Sequence, residues 1–185
     1  MRLNRKGYML VEIIVSSVLA MTIAYYLLNL TYKFKNTAED IYQNYYYTQD
    51  NLLITKNIMS DLDKGNIRNI SRTSYTAVID SQTKILKEEF DFELYEDYIN
   101  RSKRRLTIDI DNGKVLYGKI NDDGNYDKYD ISYYEKKLED SLIIKSVTMN
   151  ESYQTITFNI EIKSFYTGKD YSIKLFGIKK ILKPE

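Results

Sequence analysis

The apolar residues of this chain follow two successive patterns, a helical one in its first third and an alternating one after that. From Ile13 to Tyr32 there are 20 residues without a charge, about as many as a helix needs to cross a hydrocarbon core of ~30 Å. Apolar side chains then recur in steps of three and four, with Gln43 and Asp50 off that stripe, until Gly65 provides the first stop signal. The pattern predicts one helix over residues 8–64. Its expected apolar seam is Ala38, Ile41, Tyr45, Thr48, Leu52, Thr55, Met59 and Leu62.

The remainder of the chain, residues 66–185, has the period of two that is typical of half-buried strands. Asn112-Gly113 is a strong hairpin signal, Thr167–Lys169 is a second turn, and the polar segment 121–141 predicts a loop. The alternating apolar positions are Phe90, Phe92, Leu94, Leu106, Ile108, Ile110, Ile156, Phe158, Ile160, Ile162, Tyr171, Ile173 and Leu175. Because each strand has one apolar face, we expect an α+β fold in which the long N-terminal helix packs against a C-terminal antiparallel β-sheet head.

Composition removes several classes of site. The chain has no cysteine and no histidine, which excludes disulfides, thiolate catalysis, Ser-His-Asp triads and the usual zinc sites. A formal net charge of +1 implies no general attraction to nucleic acid. The S-x-x-K match at Ser81–Lys84 lacks the companion motifs of that serine acyl-transfer family. The sequence therefore predicts no enzymatic activity and no cofactor.

Basic residues precede the apolar segment, since the first seven residues contain Arg2, Arg5 and Lys6 and no acid. The positive-inside rule places this end in the cytoplasm and the C-terminal head outside, across a cytoplasmic membrane crossed once. Glu12 interrupts the apolar segment, where a charge at the helix centre costs roughly 2.5–3.5 kcal/mol on insertion scales. A removable signal peptide would be shorter and uncharged, with an A-x-A-like site. A plain signal anchor leaves Glu12 unexplained.

A proteolytic cut after Gly7 would give Glu12 a partner. Tyr8 would then carry the free N-terminal amine, and Glu12 would lie one helical turn away as the fifth residue of the mature chain. Glu12 can neutralise the amine of its own chain or of an adjacent subunit, and a paired carboxylate is tolerated in apolar surroundings. Pairing between subunits would also fix the axial register of packed helices.

These residues resemble the type IV prepilin signature. That family has a short basic leader ending in glycine, cleavage after the glycine, an N-methylated first residue and a glutamate in fifth position within a long apolar helix. Gly7, Tyr8 and Glu12 match these positions one by one, although phenylalanine is commoner where Tyr8 stands. The resemblance covers residues 1 to about 35. The helix prolines and C-terminal cysteine pair of many major pilins are missing, which favours a minor pilin or pseudopilin.

The resemblance implies partners and a division of the chain. The partners are a prepilin peptidase, an inner-membrane assembly platform, other pilin or pseudopilin subunits, and membrane lipid before assembly. Adhesive or motility pili, competence pseudopili and secretion pseudopili share this N-terminus, so the machine stays open. The implied parts are a cleaved leader over 1–7, a transmembrane and filament-core helix over 8–32, an amphipathic continuation over 33–64 and a head over 65–185.

Small residues in the apolar helix are candidates for helix packing. Ser16, Ala20 and Ala24 recur every four residues, which is the small-xxx-small spacing that lets membrane helices approach closely. Small residues are common in any membrane helix, so this stripe supports the packing hypothesis without carrying it.

The polar loop offers a calcium-like spacing. Oxygen-bearing side chains alternate at Asn121, Asp123, Asn125 and Asp127. In a calcium loop of the EF-hand type, glycine follows the third ligand and a glutamate stands twelfth, whereas here Gly124 precedes the third and Ser132 is twelfth. A solvated acidic loop is therefore the preferred interpretation, with a metal site as the alternative.

A basic cluster in the head has two interpretations. Its members are Arg101, Lys103, Arg104 and Arg105. Contact with phosphate or nucleic acid is one, since some pilus systems take up DNA. Acidic residues lie just upstream, among them Asp91 and Glu93, so local charge compensation is the simpler one.

Two functions from different classes follow. One is a minor pilin or pseudopilin that assembles into a filament through its N-terminal helix. The other is a single-pass anchored protein whose head binds a ligand or partner without polymerising.

Overall fold

A computed structural model of the chain describes residues 5–79, 81–96 and 100–179, with side chains from Tyr8 onward. The elements are α1 (Arg5–Leu62), β1 (Asn66–Ile79), β2 (Gln82–Tyr95), β3 (Arg101–Asp109), β4 (Lys114–Lys119), β5 (Tyr134–Lys137), β6 (Leu142–Glu151), β7 (Thr155–Ser164) and β8 (Asp170–Ile178). The strands form one eight-stranded sheet in the order β5-β4-β3-β2-β1-β8-β7-β6. The expected fold class, α+β with a long N-terminal helix packed against a C-terminal sheet, is confirmed.

Helix α1 is continuous over 58 residues, starting three residues before the predicted start and ending two before the predicted end. Residues 1–4 of the predicted leader lie outside the described residues. The stop signal Gly65 has a steric reason, because a Cβ there would lie 2.4 Å from the carbonyl oxygen of Tyr95. Only glycine lets the chain pass this close to the end of β2 as it leaves the helix.

The chain divides into two units, one ending at Tyr42 and the other beginning at Gln43. The described part of the first unit is helix alone. The second unit contains the rest of α1 and the whole sheet, and it holds the hydrophobic core.

The sheet consists of two antiparallel meanders. β1 to β5 form one and β6 to β8 form the other. They meet where Asn66 of β1 pairs in parallel with Ile178 of β8, which makes the complete sheet mixed. The predicted hairpin at Asn112-Gly113 joins β3 to β4, and Gly113 has φ +62°, a conformation that favours glycine.

The core lies between the second half of α1 and one face of the sheet. The helix contributes Ile54, Ile58 and Leu62, all fully buried. The sheet contributes the alternating apolar residues that the sequence pattern predicts. Buried among them are Phe90, Phe92, Leu94, Leu106, Ile108, Ile156, Phe158, Ile160, Ile162, Ile173 and Leu175. In β2, β3, β7 and β8, the face toward the helix is therefore the one that the period of two identified.

The predicted seam of the helix is confirmed at its end, where Leu62 is buried and Met59 packs against the core, and is wrong from Ala38 to Leu52. Ile41, Tyr45 and Leu52 are 62%, 61% and 61% exposed, whereas Gln43 and Asp50, which the pattern placed on the outer surface, are 5% and 1% exposed. The helix is rotated relative to the prediction because polar residues on its inner face find hydrogen-bonding partners in the sheet.

Two strands lie where the pattern gave no strand. β5 occupies part of the predicted loop 121–141 and pairs with β4 at the edge of the sheet. β1 has no apolar alternation, since Ser71 to Thr76 are all exposed. A register shift between Arg68 and Ser71 coincides with Asn69 at φ +51°, the bulge conformation that asparagine tolerates better than most residues.

Candidate functional site

The N-terminal part of α1 is the most unusual surface of the chain. Every residue from 8 to 29 is exposed, although most of them are apolar. The helix contains a stretch that is long and apolar enough to cross a membrane once, and none of that stretch is buried. This is consistent with single-pass anchoring, because such a surface is unfavourable in water and stable in hydrocarbon.

The hydroxyl groups of this segment hydrogen-bond to its own backbone. Ser17 Oγ donates to the carbonyl of Ile14 over 2.8 Å, and Thr22 Oγ1 donates to the carbonyl of Val18 over 2.8 Å. Thr31 Oγ1 likewise reaches the carbonyl of Leu27 over 2.9 Å. Polar groups satisfied within the helix need no water, which lowers the cost of placing them in lipid.

The residues of the prepilin-like motif lie on the first turns of α1. Gly7 belongs to the helix, and Tyr8 is 71% exposed. Glu12 follows Tyr8 by one turn and is also exposed. Among the described residues, no side chain forms an ion pair with Glu12. The carboxylate thus lies in an apolar helix without an ion-pair partner among the side chains from Tyr8 onward that the structure describes.

The small residues Ser16, Ala20 and Ala24 are all exposed. They lie on one side of the helix by their spacing, and no other described element covers them. The three small residues therefore form one exposed stripe that no other described element contacts.

The basic cluster of β3 is divided between the two faces of the sheet. Successive residues of a strand point to opposite faces, and Arg104 and Arg105 do so here. Arg104 is 5% exposed on the helix side, while Arg105 lies on the other face beside Asp91. Arg101 lies 3.9 Å from Glu93, and Lys103 is exposed. The four cations do not form one basic surface, and acids just upstream in the sequence pair with two of them, Arg101 and Arg105.

Arg104 belongs to a buried polar network. Its Nε lies 3.0 Å from Oδ2 of Asp61, which also accepts a hydrogen bond from the Tyr117 hydroxyl over 2.8 Å. The Arg104–Asp61 contact is an ion pair without hydrogen-bond alignment, because Nε and Nη1 of Arg104 donate to no described group. Burial raises the pKa of Tyr117, and the charge of Asp61 raises it further. Tyr117 therefore stays protonated and acts as a donor.

On the outer face, Arg105 holds Asp91 with a two-pronged contact. Nε and Nη2 of Arg105 donate to the two carboxylate oxygens over 2.6 and 2.8 Å. Nη1 donates to the carbonyl of Gly124 over 3.0 Å, which ties the 121–133 loop to the sheet. The hydrogen bond with Asp91 raises the pKa of Arg105. This arginine is therefore a structural clamp of the loop.

The loop with calcium-like spacing is organised by its own hydrogen bonds. Oδ1 of Asn121 accepts from the N–H of Asn125 over 2.9 Å, and Oδ1 of Asp127 accepts from the N–H of Tyr129 over 3.2 Å. Asp123 contributes no such contact. In the part of the chain that the structure describes, no group of three or more acidic side chains is arranged to hold a metal ion.

A small cavity of about 280 Å³ lies under this loop on the outer face. Asp91 and Glu93 line it together with Lys103 and Arg105. Hydrogen bonds from Tyr95 and Asn69 lower the pKa of Glu93. The cavity thus carries charges of both signs, of which Arg105 and Asp91 are paired with each other.

Sequence reasoning missed three buried polar residues on the helix. Besides Asp61, Gln43 accepts a hydrogen bond from Ser164 Oγ over 3.2 Å. Asp50 binds Lys136 Nζ at 3.0 Å and the N–H of Glu139 at 3.1 Å. Their spacing of seven and eleven residues places them on one helical face, which is the only signal that the sequence offers for them.

Comparisons with models of protein families, with curated proteins and with solved structures find no match to this chain. The fold class, the apolar helix and the contacts above are therefore what supports a function.

Proposed function

We propose that this protein is a minor pilin or pseudopilin. It is made as a precursor, inserted once in the cytoplasmic membrane, cut after Gly7 and N-methylated at Tyr8, and it then assembles into a filament through residues 8–32. Glu12 meets the new amine of Tyr8, on its own chain or on a neighbour. The head supplies the contacts outside the membrane. The partners are the prepilin peptidase, the assembly platform and other pilin subunits.

The single observation that carries the proposal is the exposed apolar segment of the helix with one carboxylate, Glu12, a turn after Tyr8, which pairs with no side chain that the structure describes. A lipid-facing anchor has no use for that charge, which costs free energy in hydrocarbon. In a filament built from packed helices the charge has a role, because a carboxylate and an amine from neighbouring chains can pair and so fix the axial register of their helices. The small residues Ser16, Ala20 and Ala24 add a surface on which such helices can approach.

The intact mass of the chain tests this proposal. Protein purified from cells with an active prepilin peptidase should lack residues 1–7 and carry one additional methyl group on Tyr8. The matched control is Gly7→Val, which alters only the residue before the cut and should leave the chain at full length. Wild-type chain that keeps its first seven residues in the same cells would contradict the proposal.

The competing function is a single-pass anchored protein whose head binds a ligand or partner. The charged cavity bordered by Lys103 and Glu93 is the observation that favours it. Both functions need the apolar helix, and they differ in processing and in assembly. An uncut chain that stays monomeric in membranes is the result that this alternative predicts.

A further inference from the structure

The turn between β7 and β8 presents two aromatic side chains to solvent. Phe165 is 69% exposed and Tyr166 is 67% exposed. Their rings meet edge to face, with centroids 5.5 Å apart. Two adjacent aromatic rings form an apolar patch, and its transfer from water to an apolar environment lowers the free energy.

This exposure comes from a fixed backbone. The N–H of Phe165 donates to the carbonyl of Ser141 over 2.8 Å, and the N–H of Gly168 donates to the carbonyl of Ser164 over 3.0 Å. Ser164 Oγ accepts from the N–H of Thr167 over 3.2 Å. Gly168 has φ +68°, which suits glycine at the end of such a turn. The fold therefore holds the two rings outward.

The turn is hydrogen-bonded to Gln43, the helical residue at which the second unit begins. Ser164 donates its hydroxyl hydrogen bond to Gln43, and Gln43 follows Tyr32, the end of the uncharged segment, after only ten intervening residues. Those ten residues are helical and cover ~15 Å. Gln43 is the residue through which the second unit is joined to the apolar segment, and the turn that follows Ser164 is hydrogen-bonded to it.

The two ends of β7 differ in charge. Lys163 and Lys169 flank the aromatic pair, and Asp170 is paired with Lys145 at 3.3 Å. The turn at the other end of β7, residues 151–155, contains no lysine, and its Glu151 is paired with Lys179. Aromatic rings with flanking lysines are the chemistry that prefers the membrane–water interface, because the rings enter the headgroup layer and the amines stay near lipid phosphates.

We infer that the Phe165–Tyr166 turn docks on the lipid headgroup layer and holds the head against the membrane before assembly. This inference rests on the membrane-crossing part of the proposed function and does not depend on filament formation. The occupant is a lipid surface, with acyl chains near the rings and anionic headgroups near the lysines.

Tryptophan fluorescence tests this contact, because the native chain contains no tryptophan. Three variants of the full chain each carry one tryptophan: Phe165→Trp in the turn, Tyr153→Trp at the other end of β7 and Tyr25→Trp in the apolar helix. Tyr153 is a matched control, since it is 75% exposed. Each variant is reconstituted in vesicles of phosphatidylcholine and phosphatidylglycerol with and without brominated acyl chains.

Brominated lipid should quench the tryptophan at 165 and shift its emission to shorter wavelength, while the tryptophan at 153 stays unquenched. Tyr166→Trp repeats the measurement in case the first variant folds poorly. Quenching at 25 together with none above the 153 level at both 165 and 166 would overturn the docking and leave the membrane segment intact. Absence of quenching at 25 would instead overturn the membrane segment, and the docking with it.

Discussion

Asp61 of the helix and Tyr117 of β4 are joined by a 2.8 Å hydrogen bond inside the core of the head, 56 residues apart in sequence. Asp61 is 3% exposed and Tyr117 is fully buried. The same carboxylate forms an ion pair with Arg104, so one aspartate contacts both an arginine and a tyrosine. This junction fixes the position of the last helical turns on the sheet.

Asp61→Ala should destabilise the head by about 3–5 kcal/mol, because it removes the nearer partner of the buried Arg104 charge and leaves only Asp130, 3.8 Å from Nη1 of Arg104. Tyr117→Phe should cost only ~1–1.5 kcal/mol, since Asp61 then keeps its pairing with Arg104. Chemical denaturation of the detergent-solubilised chain measures both. Asp63→Ala is the control, because Asp63 is exposed two residues away and should change stability by no more than ~0.5 kcal/mol. Equal losses for Asp61→Ala and Tyr117→Phe would show that the ion pair contributes little.

Gly177→Ala should destabilise the junction of β8 and β1. A Cβ at this position would lie 2.0 Å from Cδ1 of Ile67 and 3.0 Å from Cγ2 of Ile156. Ile67 is fully buried, so relieving the overlap costs ~1–3 kcal/mol. Ile67→Val removes the clashing methyl group and should rescue part of this loss. Melting of the two single variants and the double variant gives the coupling, and strict additivity would refute the proposed contact.

Strands β2, β3, β7 and β8 could be predicted from the sequence because each has the local alternation of apolar and polar residues. Phe90, Phe92 and Leu94 alternate with polar residues, and all three are buried. The face of the helix that packs on the sheet could not be predicted in the same way. Ile41, Tyr45 and Leu52 make as regular a stripe as Ile54 and Ile58, and the difference is decided by partners in the sheet. Those partners are more than 80 residues further along the chain for Asp50 and for Gln43, where periodicity carries no information.

The same limit applies to the candidate sites. Charge compensation of Arg105 by Asp91 could be expected, since both residues lie in neighbouring predicted strands. The pairing of Arg104 with Asp61 could not, because it joins a strand to a helix face that the pattern had placed outward. The motif of Gly7, Tyr8 and Glu12 is different in kind. Its hypothesised partner is created by processing or belongs to another chain, so it stays a prediction.

Glu93 should make the head less stable in acid. Hydrogen bonds from Tyr95 and Asn69 lower its pKa below the ordinary value of 4.5, so the unfolded chain binds this proton more tightly than the folded chain. The stabilisation is therefore complete above about pH 4.5 and is lost as pH falls through the lowered pKa. Glu93→Gln keeps a hydrogen-bond acceptor and removes the titrating carboxyl group. The free energy of unfolding of this variant should therefore fall less than that of the wild type between about pH 6 and pH 3, the range in which carboxylates titrate. Parallel pH profiles for the variant and the wild type would contradict this assignment.

Glu12→Val should separate insertion from assembly. Valine removes the only charge between Tyr8 and Tyr32, so insertion in the membrane should persist or improve, while incorporation into filaments should fall sharply because the amine of Tyr8 loses its partner. Thr22→Val is the matched control, since the hydroxyl of Thr22 serves only its own helix, and it should assemble normally. The ratio of filament-bound to membrane-bound protein in cells that carry the assembly machinery measures the effect.

Glu12→Asp keeps the charge on a shorter side chain and should retain part of the assembly. Incorporation of Glu12→Val at the wild-type level, with cleavage after Gly7 intact by mass, would refute the pairing and leave processing standing.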